Sequence, residues 1–170
     1  MLEYPSGDTA KALVRRSIHE LLNEGEFASF NELFAPDFID HTPQGDFVDD
    51  QKPGDRKAIR AWYQSLRHAF PDLRVEVHWQ LEIAAMVTTY SRFQGTHLGV
   101  FLGVEATDKR LRFDSVDVIR VQDHKIKEHW GLVNLHSLGK QLTVNISTRR
   151  HRKAYADLVR DSLIKEIIGG

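Results

Sequence analysis

The chain has 170 residues, of which 41% are hydrophobic and 28% are charged, with 23 basic and 24 acidic side chains. This length predicts one domain with a substantial core, and a formal net charge of -1 provides no overall field for binding nucleic acid or a membrane surface. The absence of cysteine excludes disulfides, thiolate nucleophiles and zinc–thiolate sites and agrees with a cytoplasmic protein, and no segment approaches the roughly 18 apolar residues of a membrane-spanning helix.

The first part of the chain has helical patterns. Asp8 or Thr9 can cap a first helix, whose apolar side chains recur at helical spacing until Gly25. A shorter helix is predicted over 27–33. Pro36 then disfavours helical geometry at the residue before it, so the chain is expected to become extended.

Extended chain over 38–41 places His41 at an edge or in a loop. Residues 43–55 are rich in Gly, Asp and Pro and lack periodicity, which predicts a flexible loop that could act as a lid. A third helix is predicted to begin after this loop and to stop at Pro71. Trp62 lies on the broad aromatic face of that helix.

Beyond the third helix the hydrophobic period changes to two, which predicts strands. Residues 75–83 alternate between apolar and polar side chains, with Trp79 on the apolar side, and 86–94 follow across a tight connection. Residues 111–121 and 125–135 predict a second antiparallel hairpin. The order indicates an α+β fold in which a curved antiparallel sheet wraps around the N-terminal helices and encloses a cone-shaped, apolar cavity.

The C-terminal segment differs from the rest in composition. Residues 149–153 form a basic cluster, and 154–168 have the apolar spacing of an amphipathic helix. We therefore divide the chain into a domain at 1–145 and an extension at 146–170. The extension is expected to pack on the domain or on a twin subunit, and the weaker alternative is a nucleic-acid or membrane-surface role.

Short blocks of sequence, spread over most of the chain, carry a family resemblance. They are LFAPDFIDH at 33–41, AFPDL at 69–73, GTHLGVFLG at 95–103, DVIR at 117–120 and EHW at 128–130. Together they resemble the SnoaL-like polyketide cyclase family, also called ester cyclase-like, of the nuclear transport factor two-like (cystatin-like) superfamily. The resemblance covers roughly residues 10–142.

The resemblance implies a cone-shaped fold, a homodimer through the open sheet face, and closure of a polyketide ring by an intramolecular aldol reaction without metal or cofactor. It also implies an aspartate on the last strand as general acid and base. At the two positions where relatives look acidic, this chain has Gly131 and Asn134, and neither can accept the proton. A noncatalytic ligand-binding or scaffold protein, or a hydroxylase-like relative, is therefore an alternative to a cyclase, isomerase or hydrolase.

Two other titratable residues are candidates for proton transfer. Asp117 shares its strand face with apolar residues that would make it a better base, or it merely pairs with Arg120 or a histidine to order the sheet. His129 alternates with Trp130, so only one of them lines the cavity. Because His129 shares its parity with Gly131, we expect His129 to face the pocket and to share proton transfer with Asp117.

Further polar candidates lie on strand ends and loops. His97 could donate to a substrate carbonyl or cap its own turn, and Tyr90 or Asn134 could also hold an oxyanion. His41 either lies at the pocket mouth or is exposed and hydrogen-bonded to Asp40. The catalytic candidates are Asp117, His129 and His97, and the substrate-binding candidates are His41, Tyr90, Trp130, Asn134, Phe101 and Trp62.

Other chemistries lack their sequence motifs. No pair of the candidate histidines has the short spacing of a metal site, no serine lies in a Gly-x-Ser-x-Gly elbow, and the glycines of 95–103 do not have dinucleotide-binding spacing. We therefore predict a small polyketide-like or aromatic ligand with carbonyl oxygens, and neither metal, cofactor nor nucleic acid.

Overall fold

Residues 9–42 and 53–143 are described by the computed structural model of the protein. Nearly all of the predicted loop at 43–55, and the predicted extension at 146–170, fall outside these residues. Within the described ranges, none of the helices combines the length and the apolar character that crossing a bilayer requires.

Capping side chains and a glycine turn mark the ends of the helices. Thr9 accepts a hydrogen bond from the amide of Ala12, and Asp55 accepts one from Ala58, so each caps a helix. Gly25 ends the first helical segment with a φ of 73°. These starts and stops are confirmed. The helical segments are α1 (Ala10–Ser17), a π-helical continuation (Ile18–Glu24), a 3₁₀ turn (Phe27–Ser29), α2 (Phe30–Leu33), α3 (Arg56–Ala69) and α4 (Leu135–Thr143).

Six strands form one sheet in the order β2-β1-β6-β5-β4-β3. The strands are β1 (Phe34–Asp40), β2 (Gly54–Asp55), β3 (Arg74–Ile83), β4 (Met86–Thr96), β5 (Arg110–Gln122) and β6 (Lys125–Val133). Both predicted hairpins are confirmed, and so is the α+β class with a curved sheet. The prediction of a wholly antiparallel sheet is wrong for one pair, because β1 runs parallel to β6. No short turn joins these two strands, so nothing forces them to be antiparallel.

The helices cover one face of the sheet, here called the inner face. Two clusters of buried side chains fill the space between this face and the helices, one around Phe30, Phe34 and Phe38 and the other around Phe70, Phe101 and Phe113. Trp62 and Tyr63 of α3 are partly buried and pack against both clusters. The opposite, outer face carries Trp79, Tyr90 and Trp130.

A β-bulge changes which side of β3 faces the helices. Val77 pairs with Ser91 and Trp79 with Tyr90, so His78 is the extra residue between them. Beyond the bulge, Trp79 lies on the outer face and is 50% exposed. The prediction that Trp79 lies on the apolar side of the strand, as part of the core or the pocket wall, is wrong, because one inserted residue shifts the period of two to the other face.

Two side-chain amides occupy strand edges that lack a neighbouring strand. Asn23 accepts from the amide of Val75 at 2.6 Å and donates to its carbonyl at 3.1 Å. Gln141 of α4 accepts from the amide of Arg112 at 2.8 Å and donates to its carbonyl at 2.5 Å. Each amide pairs with the backbone as an adjacent strand would.

Candidate functional site

The end of the sheet formed by β1, β5 and β6 brings two carboxylates and an imidazole together. Asp40, at the end of β1, pairs with His129 of β6. Asp117 of β5 pairs with Gly131, which shares its strand face with His129 because side chains alternate with a period of two. The three ionisable side chains therefore meet on the inner face.

His129 is held between the two carboxylates. Its Nδ1 lies 3.0 Å from Oδ1 of Asp40, and its Nε2 lies 2.9 Å from Oδ1 of Asp117. A neutral imidazole has one N–H and can donate to only one of them, so both hydrogen bonds are made together by the imidazolium. His129 is 8% exposed and Asp40 is fully buried, which shields both contacts from water.

The charges of this site follow from opposing effects. Burial acts to lower the pKa of His129, but the hydrogen bonds and charges of Asp117 and Asp40 outweigh it and raise that pKa from 6.5 to about 9. Burial acts to raise the pKa of Asp40, but the bonds from His129 and Thr42 hold it below its usual value. At neutral pH, His129 is therefore a cation bonded to a buried anion.

Small polar groups fix the orientation of both carboxylates. The amide of Thr42 donates to Oδ1 of Asp40 at 2.9 Å, and the Thr42 hydroxyl accepts from the amide of Gly131 at 2.7 Å. The Ser115 hydroxyl donates to Oδ2 of Asp117 at 2.6 Å. Both oxygens of Asp117 keep a lone pair, and its side chain is 22% exposed. This carboxylate can accept a proton from a molecule bound beside it.

Tyr63 of α3 is a further polar group of the site that the sequence does not single out. Burial and the charges of Asp117 and Asp40 raise the pKa of its hydroxyl, so it remains a protonated donor. Its ring packs edge-on against Phe34 at 6.3 Å. The spacing of Tyr63 on α3 is typical of a core position. The sequence therefore gives no sign that its hydroxyl faces carboxylates on the strands.

The family model of SnoaL-like polyketide cyclases matches residues 12–142 of this chain, which is well over half of its length. The chain belongs to the SnoaL-like polyketide cyclase family. The resemblance found in the sequence is thereby confirmed.

Solved structures of proposed polyketide cyclases and of a proposed hydroxylase share this architecture. IdmH of Streptomyces antibioticus, a proposed polyketide cyclase, is 28% identical with a TM-score of 0.69, over 80% of this chain and 99% of that one. AclR of Streptomyces galilaeus, a proposed hydroxylase, is 25% identical with a TM-score of 0.68, over 79% and 95%. A proposed polyketide cyclase of Acidithiobacillus ferrooxidans, at 19% identity and a TM-score of 0.68 over 82% and 98%, shares the fold. No curated protein matches the chain significantly in sequence.

His97, the third catalytic candidate of this SnoaL-like chain, is not brought together with Asp117. Gly95, two residues before His97, pairs with Leu111, and the six residues from there to Asp117 span about 20 Å of extended strand. His97 is fully buried and its Nδ1 lies 3.0 Å from the Thr107 hydroxyl. Burial lowers the pKa of its imidazole, and among the described residues its Nε2 has no hydrogen-bond partner.

Three of the substrate-binding candidates lie on the outer face, away from the site. His41 stacks on Trp130 with ring centroids 4.5 Å apart, and its Nε2 lies 2.8 Å from Oε2 of Glu128. The Tyr90 hydroxyl donates to Asp114 at 3.0 Å. One of the two alternatives predicted for His41 is a hydrogen bond to Asp40. The ring turns to the outer face instead, and its carboxylate partner there is Glu128.

The remaining candidates lie at the helix α4 and on the inner side. Asn134 is exposed, and its side-chain oxygen accepts from the amide of Ser137 at the start of α4. Phe101 is buried 5.0 Å from the Phe70 ring, and Trp62 packs 6.0 Å from Phe101. Of the six substrate-binding candidates, Trp62 and Phe101 share the inner side with the carboxylates.

Two surface clefts lie away from the inner site. One is bounded by β4, β5 and α4 and includes Arg110 and Arg112, and the other lies between α1 and the β5–β6 turn. Neither contains Asp117 or His129, so the apolar hollow predicted around them is not one of these clefts. Among the described residues, no group of three or more histidine, aspartate and glutamate side chains has the arrangement of a metal site.

Proposed function

We propose that this SnoaL-like protein is a cofactor-independent cyclase or isomerase that acts on a small polyketide-like or aromatic carbonyl compound by general acid–base catalysis. The observation that carries the proposal is the hydrogen-bonded chain from Asp40 through His129 to Asp117. Family membership supports a small-molecule ligand. A buried ion pair that ends in a partly exposed carboxylate is a group suited to moving protons.

Asp117 is the proposed base. One of its free lone pairs takes a proton from the carbon next to a substrate carbonyl, and the electron pair of the broken C–H bond moves onto the carbonyl oxygen. His129 and Ser115 hold the other lone pairs, at 2.9 Å and 2.6 Å. The carboxylate therefore waits in one orientation, which removes part of the entropic cost of the transfer.

Tyr63 is the proposed donor to the enolate oxygen, because its hydroxyl stays protonated beside the two carboxylates. In ring closure, the enolate carbon attacks a second carbonyl carbon of the same molecule. The new C–C bond forms as the π bond of that carbonyl breaks, and Asp117 returns its proton to the resulting alkoxide. In isomerisation the proton returns to a different carbon, and neither course needs an oxidant or reductant.

Asp40 is a positioning residue in this scheme. Its negative charge lies 3.0 Å from Nδ1 of His129, so it stabilises the imidazolium and fixes the ring plane. The second N–H of that ring then points at Asp117. A carboxylate that orients an imidazole in this way is a recurring device of acid–base sites.

Deuterium exchange tests the proposal without knowledge of the natural substrate. Hydroxyacetophenones and hydroxyacetonaphthones are first screened for binding by thermal shift, and exchange of their methyl protons in D₂O is then followed by NMR. The wild type is expected to accelerate exchange of the compounds that bind, and Asp117→Asn is expected to bind them without accelerating exchange. Glu128→Gln, which removes a carboxylate from the outer face, is the matched control. Accelerated exchange that persists in Asp117→Asn would overturn the proposal.

Noncatalytic ligand binding is the second candidate function. Each oxygen of Asp117 already accepts a hydrogen bond, which is what a purely structural ion pair requires. The residues Gly131 and Asn134 at positions where relatives look acidic also favour it. A binder is expected to show a thermal shift with the same ketones and no accelerated exchange for any of them.

We further propose that two copies associate through the outer face. Beyond the bulge, one row of paired residues crosses β3 to β6 as Trp79, Tyr90, Val116 and Leu132. The exposed fractions are 50% for Trp79 and 65% for Leu132, and an open apolar strip of this kind is typical of an interface. Sedimentation is expected to give a dimer for the wild type and a monomer for Leu132→Glu, and a monomeric wild type would contradict this assembly.

A further inference from the structure

Gly131 lies where the side chains of the inner site meet. It pairs with Asp117 across β5 and β6, and its amide donates to the Thr42 hydroxyl. A Cβ atom at this position would lie 3.1 Å from Oδ1 of Asp117, 3.1 Å from Cε1 of His129 and 3.1 Å from Oγ1 of Thr42. All three distances are shorter than the roughly 3.5–4.0 Å at which nonbonded atoms attract one another.

The three neighbours cannot move apart independently. His129 is fixed at both ring nitrogens, at 3.0 Å and 2.9 Å from carboxylate oxygens. Asp117 is also held by Ser115, and Thr42 is tied to the backbone of β6 by the hydrogen bond that its hydroxyl accepts. A displacement of any one of them therefore lengthens or misaligns at least one of these hydrogen bonds.

We infer that the missing side chain of Gly131 is what lets a carboxylate from β5 reach the imidazole of β6, so that Gly131 is the positioning residue for Asp117. The catalytic part of this inference rests on the proposed function, whereas the effect on the contact between Asp117 and His129 does not.

The pairing of the strands also limits this place to one acid. Side chains directly opposite each other on paired strands have Cβ atoms about 4.5–5.5 Å apart. A carboxylate at position 131 would therefore face the same imidazole as Asp117 and would repel the Asp117 carboxylate. The carboxylate beside His129 can come from β5 or from β6. Because position 131 is a glycine, it comes from β5, as Asp117.

The titration of His129 measures this arrangement directly. In protein labelled with ¹⁵N-histidine, Gly131→Ala is expected to lower the His129 titration midpoint by at least one pH unit and to slow ketone exchange at least tenfold. In an Asp117→Asn background, the same substitution is expected to change the midpoint by less than a third as much, because the negative charge that stabilises the imidazolium from this side is already removed. Val133→Ala, on the same strand face two residues further along β6, is the control and is expected to leave the midpoint unchanged.

Moving the carboxylate across the strand pair is the complementary experiment. Asp117→Gly alone is expected to lower the His129 midpoint, and Asp117→Gly combined with Gly131→Asp is expected to recover at least half of that loss. Recovery supports the inference. No recovery, together with an unchanged midpoint in Gly131→Ala, overturns it.

The outcomes separate this inference from the proposed function. A midpoint that falls in Gly131→Ala, with no ketone exchange even in the wild type, supports the positioning role and contradicts the enzyme. Wild-type exchange with an unmoved midpoint in Gly131→Ala supports the enzyme and contradicts the positioning role. If Gly131→Ala does not fold, the double variant Thr42→Ala with Gly131→Ala removes one of the three close contacts and is judged by the same midpoint.

Discussion

Two histidine–carboxylate pairs lie back to back at one end of the sheet, and their surroundings differ. On the inner face, His129 bonds Asp40 and Asp117 and is 8% exposed. On the outer face, the His41 side chain is 32% exposed and bonds Glu128 at 2.8 Å. The two histidines are joined through the backbone, since the amide of His41 donates to the carbonyl of His129 at 2.8 Å.

The difference shows how far burial decides what the same chemical groups can do. Water competes for the outer pair, and Arg120 shares the Glu128 carboxylate at 2.9 Å. The inner imidazole has a second carboxylate in place of that water, so its charge is fixed and its ring cannot turn. Ion pairs at exposed positions contribute little to stability, whereas a buried charge depends strongly on its partner.

Removing each histidine tests this contrast most severely. His129→Ala leaves Asp40 buried without its cation and is expected to lower the free energy of unfolding by about 3–5 kcal/mol. His41→Ala is expected to lower it by less than about 1 kcal/mol. Urea denaturation of both variants at pH 7 measures the two losses, and equal losses would show that burial does not set the contrast.

Replacing one carboxylate on each face separates the two pairs by activity. Asp40→Asn is expected to lower kcat for ketone exchange by about tenfold or more with little change in KM, because Asp40 acts through His129. Glu128→Gln is expected to leave both constants unchanged. The pH profile adds a second readout, since a lower pKa of His129 in Asp40→Asn moves the alkaline limit to lower pH. A rise in KM alone would instead place Asp40 in substrate binding.

The pH dependence of stability sharpens the comparison further. The pKa of His129 is raised from 6.5 to about 9 in the folded protein. The stability that the protonated imidazole contributes is therefore complete below pH 6.5 and is lost as the pH rises through about 9. The lowered pKa of Asp40 adds stability that is present above its usual value of 3.8 and is lost as the pH falls. Urea unfolding between pH 6 and 10 is expected to show the alkaline loss in the wild type and in His41→Ala. An identical loss in His129→Ala would assign it to another group.

The smallest effect is expected for a change that keeps the outer ring stack. His41→Phe retains an aromatic ring against Trp130 and removes only a partly exposed hydrogen bond, so it is expected to change the free energy of unfolding by less than about 0.5 kcal/mol. The midpoint of urea denaturation measures it. A loss as large as that of His41→Ala would show that the hydrogen bond to Glu128, and not the stack on Trp130, holds the ring in place.

Much of the fold could be predicted because its signals are local. Thr9, Asp55 and Gly25 mark helix ends by chemistry that acts within a few residues. The hairpins follow from the period of two and from short connections. The bulge at His78 and the parallel pairing of β1 with β6 have no local signal, since both depend on which distant strand lies alongside.

The same distinction applies to the site. The common face of His129 and Gly131, and the inward side of Asp117, follow from strand period alone. Asp40 lies 89 residues from His129 in sequence, so only the β1–β6 pairing shows it as a partner. Whether His97 lies near Asp117 depends on the register between β4 and β5, and this register places the two residues at opposite ends of the inner face.

The side-chain amides of Asn23 and Gln141 have a consequence for how copies of this protein assemble. With the backbone of Val75 and Arg112 already engaged, an incoming chain cannot add a strand at either point, and at the far border β2 offers only Gly54–Asp55. Growth edge to edge into open-ended fibrils is thereby blocked at these places. The proposed dimer would instead use the broad outer face of the sheet, where contact between two identical patches closes on itself after one partner has joined.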